Sequence, residues 1–406
     1  MSQRVTELRG AVLTCDAAGE AQLLDDAVIE LRDGRVARVK APTASSPASS
    51  DQLFLPGFVD LHCHWPQSHV RGAFSGALLP WLREHIWPAE AAFADSTHAR
   101  SYAERFLSEL HRAGTTSGLL FGPPFVSASE LLLAEAPLGF FDGPALMERN
   151  CPEALQTPVA TAVAEMANLP EATLRRWVVS PRFAPNVSDE GLRAAGGFAV
   201  ERDLFVQSHL SENVDEVRWV QELFPSYASY TAVYAELGLL GPKTIMAHGI
   251  HLSDQELTTL AETETLIAHC PTSNEALGSG RMPVERLRDA GVDWVLATDV
   301  GAGPQLSQLH TMAACLAQHR DAGVSMTAAE VFARATWRPG QWLARADAKL
   351  SGLGTLVAGA PGHVVAFSRP DADGAEATIE ALLNSHQTGY ERAPLAVWSW
   401  GARLEL

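Results

Sequence analysis

The chain has 406 residues, of which 47% are hydrophobic and 19% are charged, and its formal net charge is -18. This composition excludes a disordered chain, and the acidic balance argues against a surface that binds nucleic-acid phosphate. It leaves a single base or nucleoside open as a substrate. The length exceeds one small domain and suits one large barrel with a smaller unit.

Targeting features and cysteines indicate where the protein works. The first residues lack the apolar stretch of a secretory signal, and no run approaches the roughly 18 apolar residues of a membrane helix. The five cysteines are odd in number and show no paired spacing, which favours reduced thiols. We therefore expect a cytoplasmic protein with no membrane partner.

Both ends of the chain are predicted to form strands. Asp33-Gly34 is a hairpin signal between two of them, and a Ser/Pro/Ala-rich connector follows at residues 42–51. The predicted strands are residues 11–15, 26–32, 35–40, 362–367 and 395–400. Because a few strands cannot bury themselves alone, we predict that residues 1–53 and 353–406 together form one small β-sandwich domain.

Residues 54–64 read as one buried strand that ends in His62 and His64. Its short apolar run is typical of a parallel strand, and residues two apart share a face. Two imidazoles on one face could begin a site for Zn, Fe or Ni. The alternative is two unrelated polar residues at a strand end.

The middle of the chain alternates apolar strands with helical stretches such as residues 96–113 and 215–223. This order is typical of an α/β fold with parallel strands. The further predicted strands are residues 115–121, one within 138–148, 177–182, 204–209, 244–248, 265–269 and 294–299. With residues 54–64 they make eight, so we predict a (β/α)8 TIM-type barrel over residues 54–352.

Five predicted strands end in a metal-capable or charged residue. These residues are His62 with His64, then His209 with Glu212 three residues on, then His248, His269 and Asp299. Strands of a parallel barrel point the same way, so their ends converge at one mouth. One polar strand end is ordinary, whereas five together predict a catalytic site.

The order His-x-His, His-x-x-Glu, His-Gly and Thr-Asp resembles the deaminase branch of the amidohydrolase superfamily. Longer segments resemble the guanine deaminases within that branch, and residues 208–217, Ser-His-Leu-Ser-Glu-Asn-Val-Asp-Glu-Val, are the most specific. The other segments are residues 57–67, 180–183, 224–227, 246–249, 269–274 and 298–300. The resemblance covers nearly the whole chain, including the split β-domain.

The resemblance implies one divalent metal per chain, usually zinc, with iron as the alternative. Its ligands would be His62, His64, His209 and Asp299. Asp299 would also take a proton from the reacting water, which His248 would hold in line, and Glu212 would carry a proton to a ring nitrogen. The implied reaction is hydrolysis of guanine to xanthine and ammonia, a step of purine catabolism, in a homodimer.

Three further residues are candidates for binding the small-molecule purine. A guanidinium only donates hydrogen bonds, so Arg182 suits guanine O6, and Gln67 could read an N–C=O edge. Phe183 could stack on the ring. The alternatives are a surface salt bridge for Arg182, a loop cap for Gln67 and core packing for Phe183.

Two other functions stay open. The run after Asp299 reads Val-Gly-Ala-Gly-Pro where the resemblance predicts Val-Ala-Gly-Gly, so the substrate could be a pterin, another aminopurine or an s-triazine. The second possibility is a non-enzymatic scaffold protein that has lost its metal, and the complete set of strand-end residues argues against it. His269 is expected either to be structural or to support a metal ligand from behind, because the family does not use it as a ligand.

Overall fold

The computed structural model describes residues 5–74 and 78–405. The chain divides into two compact units. The first unit comprises Met1–Asp60, Leu107–Gly118 and Gln305–Leu406, and the second comprises Leu61–Phe106 and Leu119–Pro304. Within the described residues, none of the helices combines the length and the apolar character needed to cross a membrane.

The strands alternate with helices through most of the chain. In chain order the strands are β1 Thr6–Cys15, β2 Ala21–Arg32, β3 Arg35–Lys40, β4 Gln52–Pro56, β5 Phe58–His64, β6 Thr115–Phe121, β7 Phe140–Phe141, β8 Ala145–Leu146, β9 Val178–Pro181, β10 Phe205–Leu210, β11 Thr244–His248, β12 Leu266–His269, β13 Trp294–Leu296, β14 Val364–Ser368, β15 Ala396–Ser399 and β16 Ala402–Arg403.

The helices range from single turns to five turns. In chain order they are α1 Leu78–Trp81, α2 Trp87–Ala91, α3 Ser96–Arg112, α4 Val126–Glu135, α5 Val159–Ala167, α6 Glu171–Leu174, α7 Asp189–Arg202, α8 Val214–Leu223, α9 Tyr230–Glu236, α10 Asp254–Glu262, α11 Pro271–Ala276, α12 Val284–Ala290, α13 Gln308–Asp321, α14 Ala328–Ala335, α15 Trp337–Leu343 and α16 Ala375–Ser385. Short 3₁₀ or π turns lie at Trp65–Val70, Leu82–Ile86, Ala92–Ala94, Glu153–Leu155, Ala184–Asn186, Ala348–Leu350 and Tyr390–Arg392.

The first unit contains a seven-stranded sheet in the order β16-β15-β14-β4-β1-β2-β3. It is mostly antiparallel, with one parallel pair between β1 and β4. Strands from both chain ends therefore share one sheet. Ile29, Phe54, Val364 and Trp398 contribute to its buried apolar cluster, which supplies the burial that a few strands could not achieve alone.

The second unit contains a six-stranded parallel sheet in the order β13-β12-β11-β10-β9-β8. A three-stranded sheet in the order β5-β6-β7 carries the histidine-bearing strand. The predicted α/β class with parallel strands is confirmed. Because the six strands are parallel, their carboxyl ends lie along one edge of the sheet, which brings chemically active residues from distant parts of the chain together.

The structure corrects several predicted strand bounds. The single strand predicted over residues 54–64 is two strands, since β4 ends at Pro56 and β5 begins at Phe58. β4 pairs with β1 and β14, so residues 54–56 belong to the seven-stranded sheet and do not begin a barrel strand. The strand predicted over residues 294–299 ends at Leu296, which leaves Asp299 in the segment after β13.

The close approach of β9 to the segment between β7 and β8 depends on Gly143. A Cβ atom at Gly143 would lie 1.8 Å from the carbonyl oxygen of Val178. We expect Gly143→Ala to lower the free energy of unfolding by about 1–3 kcal/mol or more, because backbone atoms must move apart. The measurement is the Tm at a fixed metal concentration.

Gly197 provides the matched control, because a Cβ there meets no heavy atom within 4 Å and the residue lies inside α7. Gly197→Ala is expected to raise the free energy of unfolding by up to about 1 kcal/mol through helix propensity. A Tm for Gly143→Ala at or above that of the parent protein would contradict the steric argument.

Candidate active site

Four donor residues form one cluster. His62 and His64 end β5, His209 lies in β10, and Asp299 follows β13. The Nε2 atom of His62 is 3.3 Å from that of His64 and 3.2 Å from that of His209, and the last two are 3.1 Å apart. Asp299 Oδ1 lies 3.3 Å from His62 Nε2 and 3.5 Å from His64 Nε2. We call these residues the four-donor cluster.

The spacing of the four-donor cluster fits a divalent metal. A tetrahedral zinc site with ordinary bond lengths separates neighbouring ligand atoms by roughly 3.3 Å, which is close to the distances above. His209 Nδ1 donates to the carbonyl oxygen of Arg182 at 2.6 Å. Because a carbonyl oxygen can only accept, this hydrogen bond leaves the lone pair of His209 on Nε2, facing the cluster.

Electrostatics support the same conclusion. Burial lowers the pKa values of His64 and His209 well below the usual range, so both imidazoles stay neutral. Burial alone would raise the pKa of Asp299, but its hydrogen bond with His62 and the charge of His248 outweigh that effect and lower it. Neutral imidazoles and an ionised carboxylate are the forms that bind a cation.

Two neighbouring residues of α11 orient the catalytic candidates. Ser273 Oγ donates to Asp299 Oδ2 at 2.5 Å, and Asn274 Oδ1 accepts a hydrogen bond from His248 Nδ1 at 2.8 Å. His248 Nε2 then faces Glu212 Oε2 at 3.5 Å and Asp299 Oδ2 at 3.8 Å. Ser273 and Asn274 were not predicted as functional residues, although both belong to segment 269–274, which resembles the guanine deaminases.

Glu212 is buried and held at both its backbone and its side chain. Ser279 Oγ donates to Glu212 Oε1 at 2.8 Å, and the backbone NH of Glu212 donates to Glu216 Oε2 at 2.9 Å. Burial raises the pKa of Glu212, and the nearby His248 partly offsets this rise. Burial also raises the pKa of Glu216 to about 7. A carboxyl group with a raised pKa can hold and release a proton near neutral pH.

Burial and the two nearest carboxylates shift the pKa of His248 in opposite directions. Burial lowers its pKa, but Glu212 and Asp299 outweigh this and raise it above the usual value. His248 and Asp299 also have left-handed backbone conformations, with φ of 75° and 49°. Non-glycine residues adopt this conformation at a cost, and such strain often occurs at functional sites.

The predicted substrate residues lie together but make an additional contact. Arg182 follows β9 and is buried, and its NH1 group donates to both carboxylate oxygens of Glu90 at 2.8 and 2.7 Å. Gln67 Nε2 donates to Glu90 Oε1 at 2.7 Å. Arg182 therefore does form an ion pair, but the pair is buried and is not the surface salt bridge considered as the alternative. Glu90 was not predicted from the sequence.

One cavity connects these groups. Phe183 lines it and makes an edge-to-face contact with Trp219, whose ring centroid lies 5.9 Å away. Its apolar lining consists further of Leu78, Trp81, Leu82, Leu277 and Ala302. The polar lining includes members of the four-donor cluster with Gln67, Arg182, Glu212, Glu216 and His248. A cavity lined by several apolar side chains and a few polar groups suits a flat heterocycle.

His269 lies apart from this arrangement. It is buried at the end of β12, and its ring makes an edge-to-face contact with Trp294, with centroids 5.9 Å apart. It is not among the residues lining the cavity in the described parts of the chain. This placement is consistent with the structural role expected for it.

The comparisons with known proteins agree with this geometry. The model of the amidohydrolase family matches residues 53–378. The guanine deaminase of Escherichia coli (strain K12) is 35% identical over 297 residues, which cover 70% of this chain and 67% of that protein. The guanine deaminase of Dictyostelium discoideum is 34% identical over 263 residues, which cover 62% and 58%. The alignments thus span roughly three fifths to two thirds of these relatives.

Solved structures match over a longer stretch. The guanine deaminase from C. acetobutylicum with bound guanine in the active site superimposes over 99% of this chain and 100% of that chain, with a TM-score of 0.89 and 26% identity. An adenosine deaminase from Xanthomonas campestris with bound zinc covers 98% and 92%, with a TM-score of 0.77 and 22% identity, and this likeness concerns the fold alone.

Proposed function

This chain belongs to the amidohydrolase family, and we propose that it catalyses the hydrolytic deamination of guanine to xanthine and ammonia. One observation carries the proposal. A single cavity is lined by three members of the four-donor cluster and by Glu212, His248, Arg182 and Gln67. The similarity to guanine deaminases, one of them solved with guanine bound, supports guanine as the substrate.

We propose that His62, His64, His209 and Asp299 hold one metal ion per chain, zinc or alternatively iron. The interatomic distances and the neutral imidazoles support this assignment. Such a metal would supply hydroxide near neutral pH, because metal binding lowers the pKa of water toward about 7.

The remaining catalytic work falls to three side chains. Hydrolysis adds the oxygen of water to C2, breaks the bond between C2 and the amino nitrogen, and releases ammonia. Asp299 Oδ2 would accept a proton from water while Ser273 holds the carboxylate in place. His248 Nε2 would stabilise the charge developing on the oxygen, and Glu212 would carry a proton to a ring nitrogen. The raised pKa of Glu212 supports that role.

Substrate recognition would involve the edge of the purine that carries N1 and O6, next to the reacting C2. Guanine presents an acceptor at O6 and a donor at N1, which together form an amide-like edge. Arg182 would donate to O6, and Gln67 would pair with the N–C=O edge. Phe183, a buried ring on the cavity wall, would contact the face of the base.

Replacing Arg182 tests this recognition. Arg182→Ala is expected to lower kcat/KM for guanine by roughly 10²-fold or more, because O6 would be buried without its donor. The effect on 2-aminopurine should be much smaller, because it carries the same C2 amino group but no O6. Arg182→Lys should restore little, since an ammonium cannot reproduce the planar guanidinium.

Arg218 is the control for this substitution, because it is an exposed arginine that pairs with Asp215 on α8. Arg218→Ala should leave both substrates unchanged within about two-fold, as expected for a surface pair. An equal loss for both substrates in Arg182→Ala would make Arg182 structural.

A substrate panel tests the reaction itself. Guanine, adenine, 2-aminopurine, a pterin and an s-triazine would be compared by ammonia release. Guanine should give the highest kcat/KM. A clear preference for the pterin or the triazine would leave the proposed metal chemistry standing and overturn guanine as the substrate. The altered run after Asp299 is the reason for including these two compounds.

We propose further that the parallel strands close into the (β/α)8 barrel expected over residues 54–352, apart from β4. Two backbone hydrogen bonds support closure, because Asp299 N donates to His62 O at 2.9 Å and His64 N donates to Val300 O at 2.5 Å. A parallel bridge between Gly122 and Pro144 supports continuity elsewhere. We also propose that residues 1–53 and 353–406 form a β-sandwich. The sheet that both chain ends share supports this proposal.

We also propose a cytoplasmic homodimer that acts on free purine. The odd number of cysteines and the burial of Cys15, Cys63, Cys270 and Cys315 favour a reducing compartment. The net charge of -18 argues against a nucleic-acid partner. The dimer rests on family resemblance, and light scattering on the purified protein tests it.

A further inference from the structure

Glu90 lies in α2 and is completely buried. Its Oε1 atom accepts hydrogen bonds from both Gln67 Nε2 and Arg182 NH1, and its Oε2 atom accepts a second one from Arg182 NH1. A single carboxylate thus bridges two side chains that come from separate loops, one after β5 and one after β9. Both of these side chains line the cavity, whereas Glu90 is not among its lining residues in the part of the chain that the structure describes.

The bridge determines which atoms of Arg182 and Gln67 remain for a ligand. Among the described residues, Glu90 accepts both of its hydrogen bonds from Arg182 at NH1. The Nε and NH2 groups of Arg182 can then donate elsewhere. A carboxylate can only accept, so Gln67 must turn Nε2 toward Glu90, and its Oε1 accepts from the backbone NH of Gly301 at 3.3 Å. One N–H bond and one lone pair of the Gln67 amide remain.

We propose that Glu90 is a positioning residue that sets the enzyme's preference for 6-oxopurines over purines without that oxygen. This inference rests on the proposed function. By holding the guanidinium and the amide in one fixed arrangement, Glu90 presents donors for a ring carbonyl beside an acceptor for the adjacent ring N–H. It also neutralises Arg182, so the cavity suits an uncharged base.

The size of the effect follows from geometry. Without the carboxylate, the long side chain of Arg182 would lose the contact that selects its rotamer, and the Gln67 amide could rotate. A displacement of about 1 Å at a positioning group can lower a rate by roughly 10²-fold. Such a loss should affect only substrates whose carbonyl edge is read by these groups.

Glu90→Gln is the main test, because it keeps the size of the side chain but places a donor NH₂ where a carboxylate oxygen faced Arg182. We expect kcat/KM for guanine to fall by roughly 10²-fold and that for 2-aminopurine by less than about five-fold. The ratio of the two values should therefore collapse, while the bound metal per chain stays as in the parent.

A double-mutant cycle separates this role from a merely structural one. If Glu90 acts through Arg182, then Glu90→Gln should change the ratio little further in an Arg182→Ala background. That double variant also leaves no unpaired cation to prevent folding. Glu90→Asp, which retains the charge but is too short to bridge both partners, should give an intermediate ratio.

Glu256 is the matched control. It is a buried carboxylate that accepts hydrogen bonds from Thr231 and Ser253 within the second unit. Glu256→Gln should lower the Tm without changing the substrate ratio. An unchanged ratio in Glu90→Gln, or additive effects of the two substitutions, would overturn the inference while the parent still deaminates guanine. Failure of the parent to deaminate guanine would overturn the proposed function and this inference together.

Discussion

Alanine at His62 or His64 is expected to remove the bound metal and the deaminase activity together. Each substitution deletes one of the three imidazole nitrogens that lie 3.1–3.3 Å apart and leaves an incomplete ligand set. Without the cation, water would keep its high pKa, so we expect turnover to fall by roughly 10⁴-fold or more. Elemental analysis of the purified protein, with ammonia release from guanine, measures both effects.

His269 is the matched control for this experiment, since it also ends a parallel strand but lies outside the four-donor cluster. His269→Asn should retain about one metal ion per chain, as expected for a site with its ligands intact. The metal assignment would fail if protein that had been chelated and dialysed to a metal-free state still deaminated guanine at the parent rate.

Glu212→Gln is expected to retain the metal and to lower turnover by roughly 10²- to 10⁴-fold. Glutamine keeps an oxygen that can accept from Ser279 Oγ, so the side chain should stay in place. It cannot carry a proton, however, and the ring nitrogen would then be protonated only by solvent. The measurement is kcat for guanine under saturating substrate, together with the metal content of the same sample.

Glu222 offers a control because it is an exposed glutamate on α8, ten residues after Glu212. Glu222→Gln should change kcat by less than about two-fold, as is usual for surface substitutions away from a site. Near-parental turnover of a metal-loaded Glu212→Gln variant would remove Glu212 from the proposed mechanism.

The sequence by itself indicated that metal-capable residues from five strand ends would lie together, and the family resemblance selected the members of the four-donor cluster among them. Residues two apart in a strand share a face, so His62 and His64 had to point together. Parallel strands end at one edge, so His209 and Asp299 were expected near them. These are local or periodic properties that one sequence displays. Arg182 was expected near the same edge because it follows a predicted strand, whereas Gln67 was singled out by the family resemblance.

Strand bounds were less well determined, because apolar runs do not reveal where hydrogen-bonded pairing changes. Residues 54–64 read as one buried run, yet their first part pairs in the seven-stranded sheet and their second part in another sheet. Asp299 was predicted as a strand end but follows β13 in a left-handed conformation. The strand bounds in both cases depend on which strands pair, and the pairing strands are distant in sequence.

Only the tertiary structure identified the residues that orient the site. Glu90 contacts Arg182 across 92 positions in the chain, Ser273 contacts Asp299 across 26, and Ser279 contacts Glu212 across 67. No periodicity or spacing connects such pairs, and each lies in a loop or short helix whose path depends on packing. Hydrogen-bond direction and burial become visible only once the chain is folded, and these properties decide which atoms of a predicted residue remain for the substrate.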